Sequence, residues 1–466
     1  MKYKLIPALV ASMFAAQTPA VYADSTQDLI DALVTKGVLT EDEGALLGKG
    51  RKAEKKSEGI VKKGSSFELV SPDGDSNIKL SGRVQGDFRT FDIGNGDTGD
   101  AKAADTWDLR RAYLGVSGTY NKYYGYKVNL SAGSSTILDE AYVNFKWWKP
   151  ANIQVGQFKF PMSLEERTSS RFLNFTERSY VNNSAITAGK EQGLMIFGSP
   201  TKGLNYGIGF ANGYGQNVDN ASDSFDDFQY IGHIDADFAT MNKWKGKIAH
   251  IGFNYAFHDM NPDYIDDLTK QQTIGKGQEF FKVSTSSGGA LSNLTKAERT
   301  NIGAELALAS GPLKFQAEYA QASFDTNLGS EQDINTYYAE VGWLITGEDY
   351  SNSFKSKGMG GKFDRIKPNS NFDPETGKGI GAWEVMAGVS RFDAKDITSS
   401  STGLRIASSD TSEADSWRLG LKFIPDPNSR IMISYINTDF DTAISTGNNS
   451  NIDDEKAVNI RFQYDF

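Results

Sequence analysis

Histidine occurs three times, at His233, His250 and His258, and cysteine is absent. Thiolate metal sites, disulfide frameworks and cysteine nucleophiles are therefore excluded. His258 beside Asp259 is the only pair that suggests a base with an orienting acid, and no positioned nucleophile accompanies it. No enzyme, cofactor or metal is expected. Asp92-Ile93-Gly94-Asn95-Gly96-Asp97 faintly resembles a calcium loop, but it lacks flanking helices and a glutamate at the twelfth position. Gly377, Gly379 and Gly381 fall short of a dinucleotide fingerprint. The chemistry that remains is basic. Lys79, Arg83, Arg110, Arg111 and Lys127 come early. Lys159, Arg167, Arg171, Arg178 and Lys190 crowd into 159–191, and Arg365 follows later. Such side chains hold anions, and the planar fork of arginine suits phosphate.

The elements that carry these residues are strands. From Asn77 the hydrophobic period is two. Ile78, Leu80, Gly82, Val84, Gly86 and Phe88 alternate with Lys79, Ser81, Arg83, Gln85, Asp87 and Arg89. At the other end Val458, Ile460, Phe462, Tyr464 and Phe466 alternate with Asn459, Arg461, Gln463 and Asp465. A chain that stops on such a strand with a terminal phenylalanine resembles outer-membrane barrels. Strands are expected at roughly 77–91, 106–120, 123–134, 137–148, 150–159, 191–199, 203–213, 226–239, 247–258, 299–310, 311–324, 333–346, 380–393, 414–424, 428–440 and 454–466. Sixteen is even, as a barrel with both ends on the periplasmic side requires. By parity Lys79, Arg83, Arg111 and Lys127 face the lumen. Arg110 adjoins Arg111, so a regular strand turns only one of the two inward.

Short turns fall at Asn121-Lys122, Pro150-Ala151, Pro200-Thr201, Gly311-Pro312 and 425–428. Long loops fall at 92–105, 160–190, 259–298, 394–413 and 441–453. Residues 347–379 break this rhythm, because they lie on the side where turns are short. Lys355, Lys357, Lys362, Arg365 and Lys367 stand there against Asp364. A long segment in that place suggests function, and it is expected to fold into the pore mouth. Trp107, Trp147, Trp148 and Trp244 near strand ends fit interfacial girdles.

The first 23 residues read as a secretory signal: Lys2 and Lys4, then an apolar run from Leu5 to Ala16, then Val21-Tyr22-Ala23. That run is too short to span a bilayer as a helix. Residues 24–66 are expected to form a short periplasmic helix and a basic linker, ahead of a barrel at 67–466. The 466-residue chain carries 59 acidic and 49 basic residues, a net charge of −10, which is wrong for a nucleic-acid binder. Removing the leader leaves 47 basic residues, or −12. Much of the acid lies toward external loops: Asp92, Asp97, Asp100, Asp105, Asp219, Asp223, Asp226, Asp227, Asp439, Asp441, Asp453, Asp454 and Glu455. Screening over about 8 Å separates loop tips from a constriction.

Several motifs together resemble the phosphate-selective porin O and P family. Val155-Gly156-Gln157-Phe158-Lys159 leads to Pro161, then Ser163-Leu164-Glu165-Glu166, Thr168-Ser169-Ser170 and Phe175-Thr176-Glu177-Arg178. Asp108-Leu109-Arg110-Arg111-Ala112 looks like the family's early strand. Trp343 to Glu348, Gly381 to Glu384, Trp417 to Leu421 and Arg461 to Phe466 complete the likeness. The resemblance implies an all-β, sixteen-stranded antiparallel transmembrane barrel, usually a homotrimer, in the outer membrane of a Gram-negative cell. It implies that 160–190 is a lumenal constriction loop and that phosphate, polyphosphate or another small anion is the cargo. Over 159–191 five cations face Glu165, Glu166, Glu177 and Glu191. Some of these carboxylates are expected to pair with the arginines and fix the loop. Lys159 opens the matched motif and is the leading anion-binding residue. Outer-membrane lipid, including lipopolysaccharide, is the other partner. A porin of weak selectivity, or an adhesin or phage receptor displayed on long loops, is the alternative.

Overall fold

The computed structural model describes residues 25–47, 60–62, 67–92, 104–133, 136–148, 150–182, 189–218, 228–265, 269–283, 293–445 and 451–466. The signal segment, most of the basic linker and the calcium-like loop lie outside them. The expected helix is present as Ser25–Thr35. No helix among the described residues is long and apolar enough to cross a membrane.

Sixteen strands build the barrel. They are β1 (Asn77–Asp92), β2 (Thr106–Tyr120), β3 (Tyr124–Ala132), β4 (Thr136–Trp148), β5 (Ala151–Lys159), β6 (Lys190–Thr201), β7 (Leu204–Ala211) and β8 (Gln229–Asp237), then β9 (Lys247–Met260), β10 (Ala297–Ser310), β11 (Leu313–Thr326), β12 (Gln332–Leu344), β13 (Ala382–Asp393), β14 (Glu413–Asp426), β15 (Ser429–Ser445) and β16 (Asn451–Asp465). Each expected strand has its counterpart. Every strand pairs antiparallel with the next, and β16 pairs with β1 from Lys456↔Asp92 to Asp465↔Arg83. That seam closes the ring of sixteen strands. Closure matters because lipid offers no partner to an unpaired backbone group.

The alternation sorts side chains as a transmembrane strand requires. On β10, Arg299, Asn301 and Glu305 are buried inside, while Ile302 and Leu308 are exposed outside. Trp107, Trp147, Trp148 and Trp244 are all exposed on the outer surface. The turn at Asn121-Lys122 has φ of 47° and 62°, the pair of positive values that a tight hairpin turn needs.

The lumen is not an open tube. Residues 160–182 of the β5–β6 connection lie across it. The β9–β10 connection adds a small hairpin, Gln271–Gln272 with Glu279–Phe281. The β12–β13 connection adds Phe354–Lys357 with Gly360–Phe363. This last hairpin enters the lumen as its position implied: Phe363 N–H donates to Thr168 Oγ1 (3.2 Å) and Gly361 N–H to Asp235 Oδ2 (3.1 Å). Tyr180, Phe280, Phe281, Phe324 and Phe392 pack into one apolar cluster inside the barrel. Period-two logic predicts a polar interior. Loops that lie in the lumen instead bury their own apolar residues against the wall.

Glu455 corrects the reading of the acidic loops. It is buried and accepts the Gln278 N–H at 2.7 Å. It anchors the β9–β10 hairpin instead of standing in solvent.

Candidate functional site

The closing seam sets inward residues opposite one another: Arg83 and Asp465, Gln85 and Gln463, Asp87 and Arg461, Arg89 and Asn459. Two residues advance a strand by about 7 Å. The seam is thus a stair of polar steps along the pore, and the constriction loop crosses it.

The upper step centres on Glu177 of that loop. Arg110 reaches its two carboxylate oxygens at 2.7 and 3.1 Å. Arg461 Nη2 lies 2.7 Å from Glu177 and from Asp87, with Nε a further 2.7 Å from Asp87. Arg111 and Arg89 stand 3.9 Å from the carboxylate, and Arg89 also pairs with Asp108 at 3.2 Å. Arg110 and Arg111 both face inward, against the parity expectation. The β1–β2 register shifts between Gln85 and Asp87, and a bulge turns adjacent residues to one side. The same device recurs on β4, where the register shifts opposite Asn129–Leu130 and both Asp139 and Glu140 meet lumenal lysines. Burial opposes ionisation of Glu177, yet Arg110, Arg461 and Arg111 hold it well below the usual carboxylate range. Lys276, from the β9–β10 connection, feels the same group. Burial lowers its ammonium to about 8; Glu177 opposes that shift, while Arg110, Arg111 and Arg89 add to it.

A second region fixes the loop. Ser163 caps a short helix, Leu164–Arg167, and accepts the Glu166 N–H. Glu318 of β11 accepts the Leu164 and Glu165 N–H groups at 2.9 and 2.7 Å. Lys159 Nζ lies 2.7 Å from Glu166 Oε1 and donates to the Glu166 carbonyl at 2.9 Å. Arg178 does not pair with its neighbour Glu177. It meets Glu166 at 3.2 Å and donates to the Glu165 and Thr168 carbonyls. Lys190 pairs with Asp139, and Lys127 with Glu140. Arg167 is buried, pairs with Glu305 and donates to the Gly361 carbonyl. Arg167 and Arg178 therefore brace the loop. Glu191 lies away from the clamp and accepts the Gly215 N–H at 3.0 Å.

A third region is different in balance. The guanidiniums of Arg430, Arg171 and Arg365 lie 5.0, 5.2 and 5.4 Å from the centre of the Phe172 ring. They come from β15, the constriction loop and the inserted β12–β13 connection. One carboxylate, Asp465, serves them: it pairs with Arg365 and lies 3.6 Å from Arg171. Arg430 donates from Nη1 to the Arg171 carbonyl, and its Nε and Nη2 have no hydrogen-bond partner. Arg83 stands beside this group, donating to Ser170 Oγ at 2.6 Å and lying 4.3 Å over the Tyr113 ring. Lys79 continues the β1 face and forms no ion pair among the described residues.

Sequence reasoning did not single out Arg89, Arg461, Arg430, Asp465 or Lys276. The parity that selected Lys79 and Arg83 also applies to Arg461 and Asp465. Lys276 carried no such signal, because its loop has no period.

The sequence profile described as phosphate-selective porin O and P matches residues 78–466. The chain belongs to this family. Porin O of Pseudomonas aeruginosa is 27% identical over 435 residues, covering 87% of this chain and 92% of the relative. Among solved structures, an anion-selective porin from Comamonas acidovorans superposes with a TM-score of 0.50 at 12% identity, covering 84% of this chain and all of that one. A loop-deletion form of OmpT, an outer-membrane protein of Vibrio cholerae, gives 0.50 at 10% identity, with the same coverage. These two share the fold. The porin is an outer-membrane β-barrel of a Gram-negative cell, and it is a channel for anions.

Proposed function

We propose that the pore selects small oxyanions, phosphate foremost, and passes them down the β1–β16 seam. The path runs from Arg89 and Lys276, past Arg110 and Arg111, to Arg171, Arg365 and Arg430. The excess at the Phe172 step carries this reading: three guanidiniums gather around one ring with a single ion-pair carboxylate among the described residues, and the Arg171 side chain is 31% exposed. A narrow passage with low-dielectric walls strengthens the field of uncompensated charge. Guanidiniums held against an aromatic face keep their forks directed at a passing oxyanion. The upper and lower steps lie about 14 Å apart along the strand, so an ion is handed between sites and not trapped at one. We read the assembly as a homotrimer and residues 1–23 and 24–66 as a cleaved leader and a periplasmic segment. The rival, a weakly selective pore, is favoured by the near-balance of charge around Glu166.

The test is the reversal potential of the purified protein in planar bilayers under a salt gradient, followed by phosphate block of chloride current. Strong anion preference with block at low phosphate is expected. Weak or cation preference overturns the reading. The mass of the detergent-extracted complex, against three chains, tests the trimer.

A further inference from the structure

Two of the three histidines lie together, outside the ion path. His233 and Asp235 of β8, His250 of β9 and Glu305 of β10 have fully buried side chains. His233 Nε2 is 2.8 Å from Asp235 Oδ2, and His250 Nε2 is 2.8 Å from Glu305 Oε1. His250 Nδ1 is 3.7 Å from Asp235 Oδ1. One ligand-type atom from each of His233, Asp235 and Glu305 lies within 4.8 Å of the other two.

Three observations separate this cluster from an ordinary buried network. First, Glu305 Oε2 has no hydrogen-bond partner, and a buried orphan oxygen of this kind is costly. Second, the cluster is covered by two consecutive glycines of the inserted hairpin. A Cβ on Gly360, whose φ is +133°, would lie 2.6 Å from Asp235 Oδ2, 2.7 Å from Arg167 Nε and 2.9 Å from His233 Nε2. A Cβ on Gly361 would lie 2.8 Å from His250 Nδ1. No side chain can enter that space. Third, the charges do not cancel. Asp235 and Glu305 both face Arg167, which pairs with Glu305. Two buried carboxylates against one guanidinium leave negative charge for a bound cation to meet.

We propose that this cluster binds one divalent transition-metal ion of the zinc class. His233 Nε2 and the Asp235 and Glu305 carboxylates are the ligands, and His250 orients Glu305 from behind. Zinc bonds of about 2.0–2.2 Å are reached from this spread by small side-chain rotations. Coordination requires the Nδ1–H tautomer of His233, so binding moves one proton from Nε2 to Nδ1. Mixed imidazole and carboxylate donors favour zinc over magnesium or calcium. The ion would tie together the two residues that hold the lumenal insertions. Asp235 grips Gly361 of the hairpin, and Glu305 grips Arg167 of the constriction loop. This runs against the sequence expectation of no metal, and it is independent of phosphate selectivity.

The experiment is calorimetric titration of the detergent-purified, EDTA-stripped full chain with Zn²⁺, with Mg²⁺ and Ca²⁺ as comparison ions. A Co²⁺ titration read by visible absorption reports imidazole and carboxylate coordination. One saturable Zn²⁺ per chain is expected. H233N and D235N should abolish it, H250N should weaken it about 10–100-fold, and H258N should leave it unchanged. Heat-modifiable gel mobility checks that each variant folds. If D235N fails to fold, G360A keeps every ligand, fills the space above them and must also lose Zn²⁺. Absence of saturation, retention in H233N, or equal uptake of Ca²⁺ overturns the proposal.

Discussion

Around Glu166, Lys159 and Arg178 divide one carboxylate, while Arg167, Lys190 and Lys127 each hold an acid of their own. Around Phe172, Arg171, Arg365 and Arg430 have Asp465 as their one ion-pair carboxylate among the described residues. Both regions use the constriction loop, and both are rich in arginine. Their difference is the local ratio of charge. A cation with its own carboxylate is a brace, because its field is cancelled within a few ångströms. A cation in excess keeps its field for an ion in transit. The net charge of −10 says nothing about either, because the balance is set step by step inside the wall.

Four measurements sharpen or break this comparison. The largest effect is expected at Arg461, whose removal leaves Asp87 and Glu177 buried and short of their counter-charge. R461M should cost about 3–5 kcal/mol, seen as a fall in the thermal midpoint of the detergent-solubilised barrel. A variant as heat-resistant as the parent would mean the upper step is wetter than its geometry implies. Next comes the Phe172 step. R171Q with R430Q should raise the phosphate concentration for half-block at least about tenfold, equivalent to ~1.4 kcal/mol.

The balanced clamp should respond less. K159Q leaves Glu166 with Arg178 and should shift half-block by under about threefold, a fraction of a kcal/mol. If K159Q matches the double arginine variant, the distinction between brace and conductor fails. The smallest effect is on pH. Lys276 is charged below its value of about 8 and neutral above it. Anion conductance in chloride should therefore decline as pH rises from 7 to 9. K276R, which stays charged throughout, should flatten that decline; a decline that persists in K276R places the titrating group elsewhere.

Much of this was legible before any coordinates. Alternation along 77–91 and 454–466 placed both ends of the barrel, and the seam Asp465↔Arg83 joins them as parity requires. The position of 347–379 on the short-turn side pointed to a lumenal insertion, and Gly361 meets Asp235 of β8 while Phe363 meets Thr168 of the constriction loop. Parity failed at Arg110, because a bulge adds one residue to one strand and no local pattern announces it. Motif position named Lys159 but could not show its partner, because the likeness identified the loop and not the contact with Glu166. Glu455 failed for the same reason: its acceptor role depends on a hairpin 177 residues away.

The sequence by itself determined the barrel, its strand number and the inward face of its regular strands. Those follow from a period of two, which is local and repeats along every strand. Only the tertiary structure decided which cations are neutralised and which remain in excess. Arg461 and Glu177 are 284 residues apart, and Arg430 and Arg171 are 259 apart. Charge in a pore acts through distance across the lumen, and that distance exists only once the seam has closed and the loops have folded in.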